Sequence, residues 1–259
     1  MSFSSGLKLN IDYMYSERFI IALKSAEDSA IDSIGTLKER SQHRILKYFF
    51  EPNSNYHEVH IRSYIADICR DNHIYEIQTS GFENLVSKLE SFLSDYKVTL
   101  VYPVPVIQTI EWVDPLTGEI STGRCVKRKY VKYKLLPELL YLCDFISNKN
   151  FEILVVKTEV IDIRFLNGRG SDRKIKATKV DKVPKGILSI ECINSIEDVK
   201  RFAEIEDNVL YTKADFQKKY QLIRRNLYCA VKTLTELGII KEYGKVNRKI
   251  QYISCNGVD

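Results

Sequence analysis

Two carboxylates, Asp67 and Glu76, have the types and spacing that most directly imply chemistry. The stretch Tyr64–Gln78 that holds them reads as two short strands joined at Asp71-Asn72, residues that tolerate the positive φ of a two-residue hairpin turn. If Arg70 faces His73, counting outward sets Asp67 opposite Glu76, with Cβ atoms roughly 4.5–5.5 Å apart. The two-residue period of a strand puts Gln78 on that face too, beside Ile65. Like charges so close need a cation, a shared proton or open solvent. A divalent metal is the explanation with the most consequences. His43 is tempting as a general base, although a lone His near a core is more often a hydrogen-bonded packing residue.

The elements around the hairpin must position this pair. Residues 34–50 look helical, with Leu37, Ile45, Leu46, Phe49 and Phe50 apolar and Pro52 marking the stop. Glu39, seven positions before Leu46, borders the buried stripe, and His43 lies one turn after it. His57–Ile61 reads as a strand. After the Ser80-Gly81 break, Phe82, Leu85, Val86, Leu89, Phe92 and Leu93 repeat at helical spacing. Val98–Tyr102 reads as a buried strand closed by Pro103 and Pro105. The turn Asp114–Gly118 with its basic sequel reads as an exposed insertion. Leu135–Ile146 reads as a helix and Phe151–Val156 as a second buried strand.

This order describes an α/β unit with a mixed sheet flanked by helices. Residues 1–30 carry no clear signal. The expected division is a domain over 31–167, a basic linker or loop over 168–204, and a small C-terminal domain over 205–259.

The C-terminal segment has a different pattern. Ala214–Tyr220 is a short helix, and Arg224–Leu237 a longer one with the stripe Leu227, Ala230, Val231, Leu234 and Leu237. Gly238 caps it, and Ile240–Tyr252 reads as a hairpin with a basic tip. Between Tyr211 and Ser254 stand ten lysines and arginines against three acids, on a chain whose net charge is only +5. Such an end suggests a polyanion partner. Other basic runs occur at Arg124–Lys134 and Arg169–Lys185. The former is commonly a solvated loop, although it could track a phosphate backbone.

The remaining totals exclude more than they assign. No apolar run approaches the roughly 20 residues of a membrane-spanning helix, and Met1–Asn10 lacks the apolar core of a secretory signal. A cytoplasmic location is the default expectation. The six cysteines form no CxxC pair, which argues against structural zinc, and they are expected to be reduced. His57, His60 and His73 have no zinc spacing either.

On Glu39, Asp67 and Glu76-Ile77-Gln78, carried in the order helix, strand, strand, the chain resembles the PD-(D/E)xK nuclease superfamily, the fold of many restriction enzymes. Ala66 replaces the nominal Pro of the motif and Gln78 its nominal Lys. On the two helices, Leu234–Ile240 and the basic hairpin, the C-terminal unit resembles a winged helix-turn-helix domain. The resemblance implies a restriction-endonuclease-like mixed sheet plus a small winged-helix domain. It implies Glu39, Asp67, Glu76 and Gln78 as catalytic residues, with Asp67, Glu76 and the Ile77 carbonyl holding Mg²⁺ or Mn²⁺, hard cations suited to oxygen ligands. A cation in place of the missing Lys would come from Lys47 or Lys88.

It further implies that Arg224, Arg225, Asn226, Tyr228 and Lys232 face the major groove of double-stranded DNA while Lys245, Arg248 and Lys249 grip phosphates. The function implied is a metal-dependent DNA endonuclease, a phosphodiester hydrolase; one making double-strand breaks would be expected to dimerise. The alternative is a catalytically inactive DNA-binding regulator on a nuclease-like scaffold. A solvated carboxylate pair on an exposed hairpin is the plainest reading of Asp67 and Glu76.

Overall fold

The computed structural model describes residues 11–32, 41–169 and 175–255, with side chains described for 16–29 in the first stretch. Helix α1 (Ile11–Asp32) occupies much of the N-terminal stretch that carried no clear signal. Helix α2 (Ser41–Phe50) is the C-terminal part of the helix expected over 34–50; Glu39 lies outside the described residues. Arg18 of α1 caps α2, its Nε 2.5 Å from the Phe49 carbonyl and a terminal nitrogen 3.0 Å from that of Phe50. A cation at a helix C-terminus satisfies carbonyls that have no partner within the helix.

The meander β1 (His57–Ile61), β2 (Tyr64–Arg70) and β3 (His73–Ile77) follows. The β2–β3 register is Arg70↔His73, Cys69↔Ile74 and Ile68↔Tyr75. Asp71 and Asn72 have φ of 49° and 58°, as the two-residue turn requires. After Gly81, a 3-10 turn (Phe82–Leu85) leads into α3 (Val86–Leu93), which returns the chain to β4 (Lys97–Val113), parallel to β3. β4 then makes a hairpin with β5 (Ile120–Thr122) and pairs with β6 (Val126–Lys127). A 3-10 turn (Val131–Lys134), α4 (Leu135–Leu139) and a second 3-10 stretch (Leu140–Phe145) cross over to β7 (Phe151–Phe165), parallel to β4. β8 (Thr178–Ile193) closes the sheet antiparallel to β7.

The sheet order is β1-β2-β3-β4-β7-β8, mixed in direction, with helices on both faces. On one face α1 and α2 pack Phe19, Ile45, Leu46 and Phe49 toward the sheet, where Ile77, Val101 and Val156 lie. On the other, Leu89 and Phe92 of α3 and Leu135, Leu136 and Leu139 of α4 meet Leu100, Val104 and Val155.

Two expectations need correction. The buried strand does not close at its prolines: β4 runs on through Pro103 and Pro105, which pair with Val156 and Thr158 of β7. The Val101 carbonyl accepts the Gln78 N–H on the β3 side. Two and four residues on, the prolines turn to that same side, where β3 has ended and no N–H is needed. The expected linker over 168–204 is also structured. It holds the 16-residue strand β8 and helix α5 (Ile196–Phe202), whose N-cap Ser195 accepts the Asp198 N–H.

The C-terminal segment contains β9 (Leu210–Thr212), α6 (Lys213–Tyr220), α7 (Arg224–Glu236), β10 (Ile240–Val246) and β11 (Lys249–Ser254), with sheet order β10-β11-β9. Thr212 and Asp215 form a reciprocal capping box on α6. The segment shares its core with the rest of the chain. Phe216, Tyr220, Ala230 and Leu234 belong to the same apolar cluster as Leu89 and Leu136, and the buried Thr233 hydroxyl donates to the Leu136 carbonyl at 2.8 Å. Among the described residues no helix is long and apolar enough to cross a membrane.

Candidate active site

The hairpin ladder stops at Ile68↔Tyr75, and the next two residues outward are Asp67 and Glu76. There the carboxylates themselves take over the bonding between strands. The Asp67 N–H donates to Glu76 Oε1 at 3.2 Å, and the Ile77 N–H donates to Asp67 Oδ2 at 2.7 Å. The two acids are thereby fixed beside each other at the end of a paired segment, where the plainest reading had them on an exposed face. Glu76 is only 4% exposed.

Each acid has a basic neighbour from a different helix. His43 of α2 sets Nε2 3.0 Å from Asp67 Oδ2; the ring nitrogen is the donor, because an ionised carboxylate only accepts. Lys88 of α3 sets Nζ 2.6 Å from Glu76 Oε2. Lys47, the other candidate cation, reaches Glu58 of β1 at 2.5 Å. Of the two lysines weighed against the missing Lys of the motif, Lys88 is the one at Glu76.

The electrostatics of the pair are asymmetric. Burial works to raise the Asp67 pKa, but the hydrogen bond and charge of His43, the Ile77 N–H and Lys88 hold it below the ordinary carboxylate value. Burial and then the charge of Asp67 push Glu76 up to about 7, against the pull of Lys88 and the Asp67 N–H. Two carboxylates whose surroundings drive their pKa values apart mark a place where acid–base or cation chemistry is favoured.

Whether the residues fit a divalent cation depends on which oxygens are committed. Both bonds to Asp67 end on Oδ2, and among the described residues Oδ1 has no hydrogen-bond partner. Glu76 has a bond on each oxygen, one of them to a flexible lysine. Two carboxylates are hard donors of the kind that Mg²⁺ or Mn²⁺ takes. Among the described residues no cluster of three or more His, Cys, Asp or Glu forms around them, and Glu39 is not among those residues.

Gln78 is half-buried and donates through Nε2 to the Ser80 carbonyl at 2.7 Å, helping the chain turn out of β3. Glu138 is a supporting residue the sequence did not single out. Its Oε2 accepts the N–H groups of Gly81 and Phe82 at 3.0 Å each, tying α4 to the turn that launches α3 and thereby Lys88. An acid one turn into an apolar helix gives no sequence signal for this, because the contact spans more than fifty residues.

The expected DNA-facing residues Arg224, Arg225, Asn226, Tyr228 and Lys232 of α7 are all exposed, as are Lys245, Arg248 and Lys249 at the β10–β11 hairpin. Its two-residue turn, Asn247-Arg248, has φ of 50° and 64° and puts Arg248 at the tip. Arg225 also reaches the Tyr141 hydroxyl at 3.3 Å.

A family model described as "Domain of unknown function (DUF8091)" matches residues 40–194, the stretch that contains the whole sheet and the Asp67–Glu76 site. An uncharacterized protein of Treponema pallidum (strain Nichols) is 30% identical over 145 residues, which is 55% of this chain. The match spans 57% of that relative's length. No solved structure matches the chain.

Proposed function

The chain belongs to the DUF8091 family, and from the geometry of its site we propose that it is a metal-dependent nuclease that hydrolyses phosphodiester bonds in DNA. One observation carries this reading: two carboxylates on neighbouring strands, Glu76 buried and Asp67 half-buried, converge with a lysine from the following helix. Meander, crossover helix and parallel strand follow in the order expected of a PD-(D/E)xK nuclease.

Asp67, Glu76 and the Ile77 carbonyl are the groups that would hold the metal, which when bound would lower the pKa of a water nucleophile and offset charge on the phosphate. Lys88 supplies a positive charge at Glu76, the role for which Gln78 offers only a neutral amide. His43 orients Asp67 through its bond to Oδ2. The exposed cations of α7 and of the β10–β11 tip would bind the DNA backbone, in the manner of a winged helix.

A second reading rests on a specific observation. Both Glu76 oxygens are occupied from within the protein, one of them by Lys88, so the pair is partly neutralised without a metal. That favours a DNA-binding regulator on a nuclease-like scaffold. Plasmid and linear DNA incubated with Mg²⁺ or Mn²⁺ separate the two. The nuclease reading expects cleavage by the wild type and a loss of about 100-fold or more in Asp67→Ala and Lys88→Ala, the scale of removing one charge-stabilising group. Binding without cleavage, weakened steeply by salt, supports the regulator. Cleavage that survives Asp67→Ala sinks the assignment of the site.

A further inference from the structure

A second charged centre lies away from the acid pair, in a cleft of about 850 Å³ where the sheet meets the C-terminal segment. Val106 of β4 and Lys157 of β7 contribute from the sheet, Lys129, Tyr130 and Lys132 from the chain before α4, and Lys218 and Lys219 from α6. Segments far apart in sequence are thus brought to one concavity of the size that holds small-molecule ligands.

Its walls are firmly tied. The Arg128 N–H donates to the Val106 carbonyl at 2.6 Å, holding the basic run against β4. Tyr133 packs its ring against Phe202 and Tyr220, with centroids 6.3 and 4.7 Å away. Lys132 pairs with Glu204 at 2.7 Å, and Lys219 donates to the Glu204 main-chain carbonyl.

The charge of the cleft is unbalanced. Five lysines line it against two carboxylates, Glu204 and Asp215, and both acids are already engaged. Glu204 accepts from Lys132, and Asp215 accepts from the Thr212 N–H and hydroxyl at 2.7 Å each. Lys157 has Glu191 at 3.2 Å, outside the cleft lining. Lys129 and Lys218 are exposed and make no ion pair within 4 Å among the described residues, although the Lys218 charge is felt at Asp215. Beside them the residue Tyr130 is 41% exposed, with Lys129 Nζ over its ring, 5.8 Å from the centroid. Exposed cations beside a partly exposed aromatic ring suit a ligand that carries phosphate and a flat ring together.

We propose that this cleft binds a nucleotide unit, its phosphates on Lys129 and Lys218 with Lys157 and Lys219 behind them, and its base on Tyr130. The site is separate from the Asp67–Glu76 pair. Val106 lies six residues along β4 from Leu100, the partner of Glu76, which is about 20 Å at roughly 3.3 Å per residue. The proposal does not depend on nuclease activity. The chemistry is shared by a free nucleotide and by a nucleic-acid strand, so the test includes both.

The full chain is titrated, in EDTA and about 50 mM salt, into two fluorescent probes followed by anisotropy. One is a labelled single-stranded oligodeoxynucleotide of about ten nucleotides; the other is a labelled ATP. The wild type is expected to bind at least one. Lys129→Ala combined with Lys218→Ala should weaken that binding by about tenfold or more and flatten its salt dependence, since roughly two phosphate contacts are lost. Tyr130→Ala should weaken it by about tenfold. Both changes are at exposed positions, so circular dichroism should match the wild type. Binding of the ATP probe identifies a free nucleotide as sufficient, and binding of the oligonucleotide alone identifies a strand; either supports the cleft. If neither probe binds, or the double variant binds both as the wild type does, the proposal is overturned. The latter holds even if Arg225→Ala with Arg248→Ala abolishes binding, because the cleft would then have no part in it.

Discussion

Two carboxylates are buried in the same sheet and have opposite surroundings. Asp162 of β7 is 1% exposed and Glu76 of β3 is 4% exposed. Asp162 Oδ2 accepts from Gln108 Nε2 at 2.6 Å and from Arg164 at 2.7 Å, and its cross-strand partner is Lys182. Arg164 also lies over the Trp112 ring at 5.6 Å, fixed between an anion and an aromatic face. Glu76 has one lysine but also faces a second acid, Asp67. Burial of a carboxylate therefore does not identify a site. At Asp162 the neighbours neutralise the charge and tie β7 to β4, whereas at Glu76 the nearest acid opposes it and leaves a demand for a cation.

The largest effect is expected on removing the cation beside Asp162. Arg164→Ala leaves Asp162 buried with Gln108 as its remaining close donor, in a place where Asp162 Oδ1 and Gln108 Oε1 already lack partners among the described residues. Breaking a buried pair on one side costs about 3–5 kcal/mol. Urea denaturation should show a loss of that order. A loss below about 1 kcal/mol, the level of a surface ion pair, would mean that Asp162 is better solvated than its burial suggests.

Glu76 should also make stability depend on pH. With Glu76 raised from 4.5 to about 7, the folded state holds a proton that the unfolded state has released. That contribution to stability is complete below about 4.5 and is lost as pH rises through about 7. At about 1.4 kcal/mol per unit the change is on the order of 3 kcal/mol. His73, whose pKa burial lowers to about 4, works in the opposite direction, so the test is the difference between two proteins. From pH 5 to pH 7.5 in EDTA the wild type should lose stability relative to Glu76→Gln, which cannot ionise and keeps the His73 contribution. An equal pH dependence in the two proteins would show that Glu76 stays ionised throughout.

The sequence revealed one member of this comparison and concealed the other. Asp67 and Glu76 were legible because their relation is local: Asp71-Asn72 sets a two-residue turn, the turn sets the register, and the register opposes the acids. His43 and Lys88 could be named as neighbours, but choosing Lys88 over Lys47 at Glu76 needed the rotation of α3 and α2 about their axes. That rotation depends on tertiary packing, including the Glu138 tie to Gly81 and Phe82. Asp162 was invisible because β7 and β8 continue beyond the apolar run Phe151–Val156 as long, charge-rich partners. Thr178–Ile193 has the composition of a linker and is ordered by its pairing with β7, while the prolines of β4 look like stops until the end of β3 is known. The end of α7 was legible from Gly238, whose φ is 66°, whereas the capping box of α6 and the turn residues of the β10–β11 hairpin emerged only with the structure. The merging of their core with α4 was not, because the stripe on α7 does not reveal what covers it.

The smallest expected effect tests what Gln78 contributes. Under the nuclease reading proposed above, if a charged residue at this position is what the site lacks, Gln78→Lys should raise cleavage by about 100-fold or more, the scale of one charge-stabilising donor. The geometry argues otherwise. Lys88 already places its ammonium 2.6 Å from Glu76, and Gln78 directs its amide to the Ser80 carbonyl, 2.7 Å away. A second lysine would be repelled by the first, and the change would also remove a hydrogen bond worth about 1 kcal/mol at most in a half-exposed setting. The expected outcome is a change in cleavage rate of less than about tenfold, about 1.4 kcal/mol in barrier, with a slightly lower urea midpoint. Lys88→Ala combined with Gln78→Lys should stay closer to Lys88→Ala than to the wild type, because the cation must arrive from α3 to sit on the Oε2 side of Glu76. Full rescue by Gln78→Lys in the Lys88→Ala background would mean that position matters less than charge, and that the two carboxylates accept a cation from either side.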